Sequence, residues 1–399
     1  PEQLRNFPGL NAFGVAGKTR SLPPVQMQEI LLPAFEQIEA TGARHVHYKV
    51  CSTFDSSPDI GSIGQAIDCG AEIFKNSIIP VLGGMPALGR YCLFGNLFAR
   101  MGIGSKGGIY RLDRHPSMCK HPVTPADESD LRLHLGKQTN KKIGLIDITQ
   151  LDKPVEEWSY AVNSDEAVLI DVLNEEQLTN IGAWIDAQSN GTTPLFSLGS
   201  SGIEMALGNY WNRQKLLKPV IDWKHPGKAI PLLVVSGSCS PVTTSQLLWA
   251  KANGFEEVEL DAVKICNDGV VTTDVMNKIN ELVQQQKNVI VHTGQNEAQS
   301  LPSEKLGTAL GNIAKETVNY AAVKRVVVAG GDTSSYAARA MEIDAVEMIA
   351  PLVTGAPLCR AHSKNKTING LEVNFKGGQV GAEDYFGIIM RGEVVSRES

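Results

Sequence analysis

The sequence predicts an α/β fold of two domains, each with a largely parallel sheet flanked by helices. Three observations predict it. From about residue 140 onward, short apolar runs alternate with longer helix-like ones. Those short runs are apolar at nearly every position, not at every second one, as strands covered on both faces require. And 399 residues is long for one core but comfortable for two.

Taken in order, residues 1 to about 140 are the least regular, with polar loops such as TFDSSPDIGSIG (53–64) and LDRHPSMCKHPVTP (112–125). Strands are then expected at 143–148, 166–173, 194–198, 231–235, 256–260, 288–293 and 324–329, from runs such as PLLVV and KRVVVA. Helices are expected at 175–188, 201–217, 242–253, 273–286, 303–322 and 333–343. The stretch 215–229, KLLKPVIDWKHPGKA, has two prolines and four lysines and little periodicity. It reads as a linker, dividing the chain into domains of residues 1–222 and 223–399.

Three glycine-bearing segments punctuate the second half: SGSCS (236–240), AGGDTSS (329–335) and FKGGQVG (375–381). Each follows or ends a strand-like run, and the first two lead into helices. Amides at such turns point outward, and a helix N-terminus adds partial positive charge. Three turns at the same ends of neighbouring parallel strands would form one anion-binding rim, suited to a nucleotide phosphate chain. Candidate contacts are Ser238 and Ser240, then Gly330, Gly331, Asp332 and Thr333, then Gly377 and Gly378, which follow Lys376. Each segment also has a plain reading: Asp332, Thr333 or a serine capping a helix, and KGGQVG closing a hairpin.

Composition sets bounds. A net charge of -6 argues against a nucleic-acid partner. Seven cysteines without metal-ligand spacing fit a reduced, cytoplasmic setting, and no apolar run reaches the length of a membrane span.

Some motifs are expected to be decoys. AFGVAGKT (12–19) has Ala12 where a phosphate-binding P-loop needs glycine, and RSLPP follows instead of a helix. Gly102, Gly104 and Gly107 match the dinucleotide-binding spacing but precede IYRL, not a helix start. SLGSSG (197–202) lacks the spacing of a nucleophile elbow and reads as a helix-opening turn.

In the first half, YKVCSTFDSSPDIGSIG (48–64) leads from a strand into a polar loop before a helix. Lys49, Ser52 and Thr53 there could bind a small carboxylate or polyol. Arg20 and Arg114 are candidate carboxylate clamps. His121 and Thr124 lie in a proline-stiffened loop. His45 and His47 share one face of a strand and are expected to pack or to lie at the surface, since no third metal ligand accompanies them.

In order and spacing, KTRSLPP, YKVCSTFDSSPDIGSIG, RLDRHPSMCKHPVTPADESDL, SLGSSGIEMAL, VVSGSCSPVTTSQ, VVVAGGDTSSYAARAM, TGAPLC and FKGGQVGAEDYF resemble the four-carbon acid sugar kinase family. The resemblance implies an N-terminal domain that binds the acid sugar and a C-terminal one that binds ATP with Mg²⁺ through the glycine segments. It implies an active site in the cleft between them and phosphoryl transfer to the terminal hydroxyl of a tetronate or 3-oxo-tetronate. Lys49, Arg20 and Arg114 would meet the substrate carboxylate or the transferred phosphate, Asp55 is the candidate base with a salt bridge or a cap as its plain reading, and a homodimer is the expected assembly. Two departures stand out. Members usually open with an Ala-Asp-Asp strand and turn, which residues 1–17 do not match. Where many carry Ser-Thr-Leu-Arg-Gly, this chain has Ser52, Thr53, Phe54, Asp55 and Ser56. The unmatched opening keeps open a non-catalytic relative that binds nucleotide or acid sugar, and the Gly102–Gly107 spacing is the support for a more distant alternative, an NAD-linked sugar-acid oxidoreductase.

Overall fold

Strands that are apolar on both faces need helices above and below, and the computed structural model of the chain builds two such sandwiches. It describes residues 3–102, 107–121, 123–158, 166–189, 191–220, 222–268, 271–294 and 301–394. The chain separates into two compact units. One comprises residues up to Met101 together with Gly107–Pro219, and the other comprises Gly102 and the chain from Val220 onward.

The first unit holds strands β1 (His45–Lys49), β2 (Ile79–Leu82), β3 (Arg90–Leu93), β4 (Asn96–Arg100), β5 (Ile109–Arg111), β6 (Ile143–Ile146), β7 (Ala167–Ile170) and β8 (Leu195–Gly199). Its helices are α1 (Pro24–Glu39), α2 (Ile63–Phe74), α3 (Leu131–Gly136), α4 (Glu175–Ala187) and α5 (Gly202–Arg213). A five-stranded sheet runs β1-β8-β2-β7-β6, parallel throughout. Met27, Leu31 and Phe35 of α1 and Ile67 and Phe74 of α2 cover one face, and Leu178, Ile181 and Ile185 of α4 with Ile203 and Ala206 of α5 cover the other. Both starts follow local chemistry. Ser62 accepts the Gln65 amide at the head of α2, and Asn174 with Gln177 forms a reciprocal cap on α4.

Strands β3, β4 and β5 form a separate antiparallel sheet that the sequence reading did not separate from loop. Asp171, just past β7, accepts the amides of Gly95 and Ile148 at 2.9 and 3.0 Å and so ties that insert to the parallel sheet. Gly107 leads into β5, so the glycine run at 102–107 does not open a helix; Gly104 lies outside the described residues.

The second unit holds β9 (Leu232–Ser236), β10 (Glu256–Glu259), β11 (Val289–His292), β12 (Arg325–Ala329), β13 (Ala345–Val353), β14 (Ala356–His362) and β15 (Glu372–Lys376). Its helices are α6 (Pro241–Ala252), α7 (Ala262–Asp268), α8 (Thr273–Gln284), α9 (Ser303–Tyr320), α10 (Gly331–Ala340) and α11 (Tyr385–Arg391). The sheet order is β10-β11-β9-β12-β15-β14-β13. The first five strands are parallel, and the β13–β14 hairpin adds antiparallel pairs at one edge. Along β9, Leu233 and Val235 enter the core shared with α8 and α9, while Leu232 and Val234 enter the one shared with α6 and α11. That double burial is why PLLVV is apolar at every position. No helix among the described residues is long and apolar enough to cross a membrane.

Candidate functional site

In the second unit, parallel registry brings the three glycine turns to one level. Ala329, the last residue of β12, pairs with Ser236 of β9 on one side and with Lys376 of β15 on the other. The turns therefore leave three adjacent strands together, at the carboxyl edge where open α/β sheets bind ligands.

The turns are bolted to one another. Gly237 donates its amide to Ala329 O at 3.2 Å, and Gly330 donates to Lys376 O at 2.9 Å. Thr243, in the first turn of α6, sits at the junction. Its hydroxyl donates to Gly378 O at 3.0 Å and accepts from Ser238 Oγ at 3.0 Å and from Lys376 Nζ at 2.9 Å, the full capacity of one hydroxyl. The buried Gln246 amide holds the far side of the third turn through Val380 O and Ala382 O, both at 2.9 Å.

Packing explains the glycines. A Cβ at Gly378 would lie 2.9 Å from Ser238 Oγ and 3.0 Å from Ser240 Cβ, and one at Gly237 would lie 2.6 Å from Thr333 Oγ1. A Cβ added at Gly331 would meet nothing within 4 Å beyond its own helix, so this position faces open space. Gly377 makes only ordinary contact with Val380.

Ser240 is the N-cap of α6, accepting the Val242 amide at 3.3 Å, with Pro241 in the first turn as its sequence implies. Asp332 and Thr333 do not cap α10. The helix starts two residues earlier than expected, at Gly331, and Gly330 is its N-cap with φ +123°. No side chain there takes up the first amides, which stay available to an outside acceptor. Asp332 is exposed in the first turn, and Thr333 is buried beneath it.

Two helix N-termini, glycines without room for a side chain and outward amides fit a phosphate chain. Among the described residues no group of three or more His, Cys, Asp or Glu side chains could hold a metal ion. That donor set suits Mg²⁺ only as it usually binds nucleotides, through phosphate oxygens, waters and one or two carboxylates such as Asp332.

In the first unit, Arg20, Thr53 and Asp55 come together, Ser52 is held by Arg90, and Arg114 joins neither. Arg20 Nη2 lies 3.1 Å from Asp55 Oδ2 and 3.5 Å from His121 Nε2. Thr53 Oγ1 donates to Asp55 Oδ1 at 2.6 Å. His121 Nδ1 accepts the Thr124 amide at 3.1 Å. Arg114 is exposed, with Asp113 at 3.8 Å, and shares none of these bonds. The reason is local: the turn 112–114 spends its charge on its own neighbours. Lys49 shares a face of β1 with His45 and His47, and its charge acts on His47 and Glu204. Both histidines pack, as expected. His45 Nε2 bonds Asp186 at 2.9 Å, and burial pushes the His47 imidazole down to about 4.

Two supports were not legible from residue type. Arg90 is buried and donates to Ser52 Oγ at 3.2 Å and to Leu88 O and Arg100 O at 3.0 and 2.9 Å. Phe54 takes φ +53° and is almost fully buried, and its carbonyl accepts from Ser56 Oγ at 2.9 Å, with His134 Nε2 3.2 Å away. A left-handed aromatic persists only where its surroundings hold it, which is common beside ligand sites. A cavity of about 190 Å³ opens beside this loop, lined by Ser56, Thr124, Asp127, His134, Lys137 and Gln138.

Known proteins match both halves. Residues 2–207 match the family described as a sugar-binding N-terminal domain, and residues 233–386 match the one described as a nucleotide-binding C-terminal domain. A 3-oxo-isoapionate kinase of Paraburkholderia graminis is 38% identical over 99% of this chain and 87% of its own length. A 3-oxo-tetronate kinase of Methylobacterium radiotolerans is 27% identical over 97% of this chain and 90% of its own. The fold is shared with a solved structure from Salmonella typhimurium LT2, at a TM-score of 0.69 and 21% identity, covering 95% of this chain and 91% of that one. A Haemophilus influenzae protein matches at 0.65 and 20% identity, over 96% and 91%. With both of its halves matched, the chain belongs to the four-carbon acid sugar kinase family, whose sugar-binding domain precedes a nucleotide-binding one.

Proposed function

We propose that this protein transfers the γ-phosphoryl group of ATP to a hydroxyl of a 3-oxo acid sugar of the isoapionate or tetronate type. The observation that carries the reading is the alignment of three glycine turns at the ends of β9, β12 and β15. Phosphoryl transfer needs positioning and charge neutralisation more than covalent chemistry. The amides of the rim would hold the phosphates, and Mg²⁺, when bound, neutralises their oxygens. The acid sugar belongs with Arg20, Ser52 and Thr53, where a guanidinium can meet a carboxylate and hydroxyls can meet a polyol. Asp55 is engaged by both Arg20 and Thr53, an arrangement that favours orienting Arg20 over abstracting a proton. Lys49 is the second cation near the strand end, and Arg114 contributes least. A cytoplasmic homodimer completes the proposal.

The test is Mg²⁺-dependent ADP release with 3-oxo-isoapionate, 3-oxo-tetronate and the corresponding non-oxidised acids. The 38% identity to a 3-oxo-isoapionate kinase favours that acid over the four-carbon ones. ATP binding without ADP release on any of these acids would overturn the kinase reading and leave a binding protein.

A further inference from the structure

Lys376 ends β15, and among the described residues no carboxylate pairs with its side chain. It is 1% exposed, yet among the described residues Nζ has one hydrogen-bond partner, Thr243 Oγ1 at 2.9 Å, and it lies 5.4 Å from the centre of the Tyr385 ring. A buried ammonium is normally paired with an anion. The groups packed round this one are the Thr243 hydroxyl of α6, itself bonded to Ser238 and Gly378, and the Tyr385 ring of α11, whose hydroxyl donates to Asn374 at 2.7 Å. None of them carries charge at neutral pH, and burial pushes the Tyr385 phenol well above its usual range. Asp332 and Asp384, on the neighbouring helix starts, make no ion pair with Lys376 among the described residues. Burial alone pushes the Lys376 amine down to about 7.

This uncompensated position lies under the rim. The Lys376 carbonyl holds the Gly330 amide, Gly377 and Gly378 follow it directly, and its ammonium donates to the threonine that bolts the turns together. Building on the nucleotide reading above, we propose that Lys376 is a positioning residue of the nucleotide site whose missing counter-charge is the phosphate chain, so that nucleotide and proton bind together. The phosphates need not touch Nζ, because Coulomb attraction through a buried, low-dielectric loop is weakly screened.

The sign follows. Below about pH 7 the free protein already carries the proton, so nucleotide binding takes up little. Above it the free amine is mostly neutral, and binding must draw a proton in. A phosphate, with its second pKa of about 6, has already lost its proton at pH 8 and contributes none of that uptake.

The experiment is calorimetry of Mg²⁺-ATP binding to the full chain at pH 6 and pH 8, each in two buffers of different ionisation enthalpy. Uptake approaching about one proton per ATP at pH 8, falling toward zero at pH 6, is expected, with affinity weakening up to about tenfold per pH unit above 7. Lys376→Met should abolish the uptake and weaken binding. Lys376→Arg, permanently charged, should bind ATP without uptake, and it serves if the methionine variant fails to fold. ATP binding with no uptake in the wild type, or with equal uptake in the variants, would overturn the role of Lys376. No ATP binding at either pH would instead overturn the nucleotide reading, and this proposal with it.

Discussion

A Cβ on Gly330 would stand 2.6 Å from Thr333 Oγ1, and Gly330 itself holds φ +123°, a conformation L residues rarely adopt. Its neighbour Gly331 has no left-handed φ, and a Cβ there would meet nothing within 4 Å beyond its own helix. The two glycines therefore separate folding from binding. Gly330→Ala should cost about 1–3 kcal/mol of stability along with ATP affinity. Gly331→Ala should leave the melting temperature within a degree or two, since it adds a methyl to an exposed helix start. Its ATP affinity should still fall, by about tenfold or more, because only a bound phosphate would meet that methyl. Thermal unfolding with and without Mg²⁺-ATP reads both; unchanged affinity in Gly331→Ala would remove that residue from the site.

Arg325 on β12 is fully buried and pairs in register with Glu372 on β15, Nε to Oε2 at 2.7 Å, with further bonds to Ile389 O and Gly227 O. Removing the carboxylate leaves a buried guanidinium short of its counter-charge. Glu372→Ala is expected to lose about 3–5 kcal/mol in urea unfolding. A replacement of both residues by apolar side chains should lose less than the single change.

Arg20 and Asp55 test the sugar end. Arg20→Met should lower kcat/KM for the acid sugar by about 10- to 100-fold, the loss of a charge-assisted bond, while leaving the KM for ATP close to its starting value. Asp55→Asn keeps the shape and should act mainly on the KM of the acid sugar. If it instead abolishes kcat with KM held, Asp55 is the proton acceptor and the orienting role assigned to it is wrong.

His47 sets an acid limit. Burial holds its folded value near 4, against 6.5 in the unfolded chain, so the fold prefers the neutral ring. A lowered folded value means that the unfolded state binds the proton first as pH drops. The stability this ring contributes is present above pH 6.5 and is lost as pH falls toward 4, by about 1.4 kcal/mol per pH unit. His47→Gln should flatten that part of the stability–pH curve; an unchanged slope between pH 6.5 and 4 would show that the ring is solvated.

Much of the second unit was legible in the sequence. Its parallel strands are covered on both faces, so burial alone writes uninterrupted apolar runs, and β9, β11 and β12 begin and end within a residue or two of their expected places. The hairpin β13–β14 was not legible, because AVEMIAPLV mixes exposed and buried positions at a sheet edge. In the first unit, β3 to β5 were hidden for the same reason.

By itself the sequence determined the two-unit α/β plan, the strand-and-turn identity of the three glycine segments and the list of polar residues near them. Those are properties of local composition and of burial patterns along one stretch of chain. Only the tertiary structure decided which strands are neighbours. Because β9, β12 and β15 lie side by side in register, residues separated by more than a hundred positions, such as Thr243 and Lys376, share a hydrogen bond. It likewise separated Arg20 from Arg114, which look alike as residue types, because only one of them is carried to Asp55 by the packing around β1 and α2. Proximity of that kind follows from sheet order, and sheet order is set by how the helices cover the two faces, not by any segment alone.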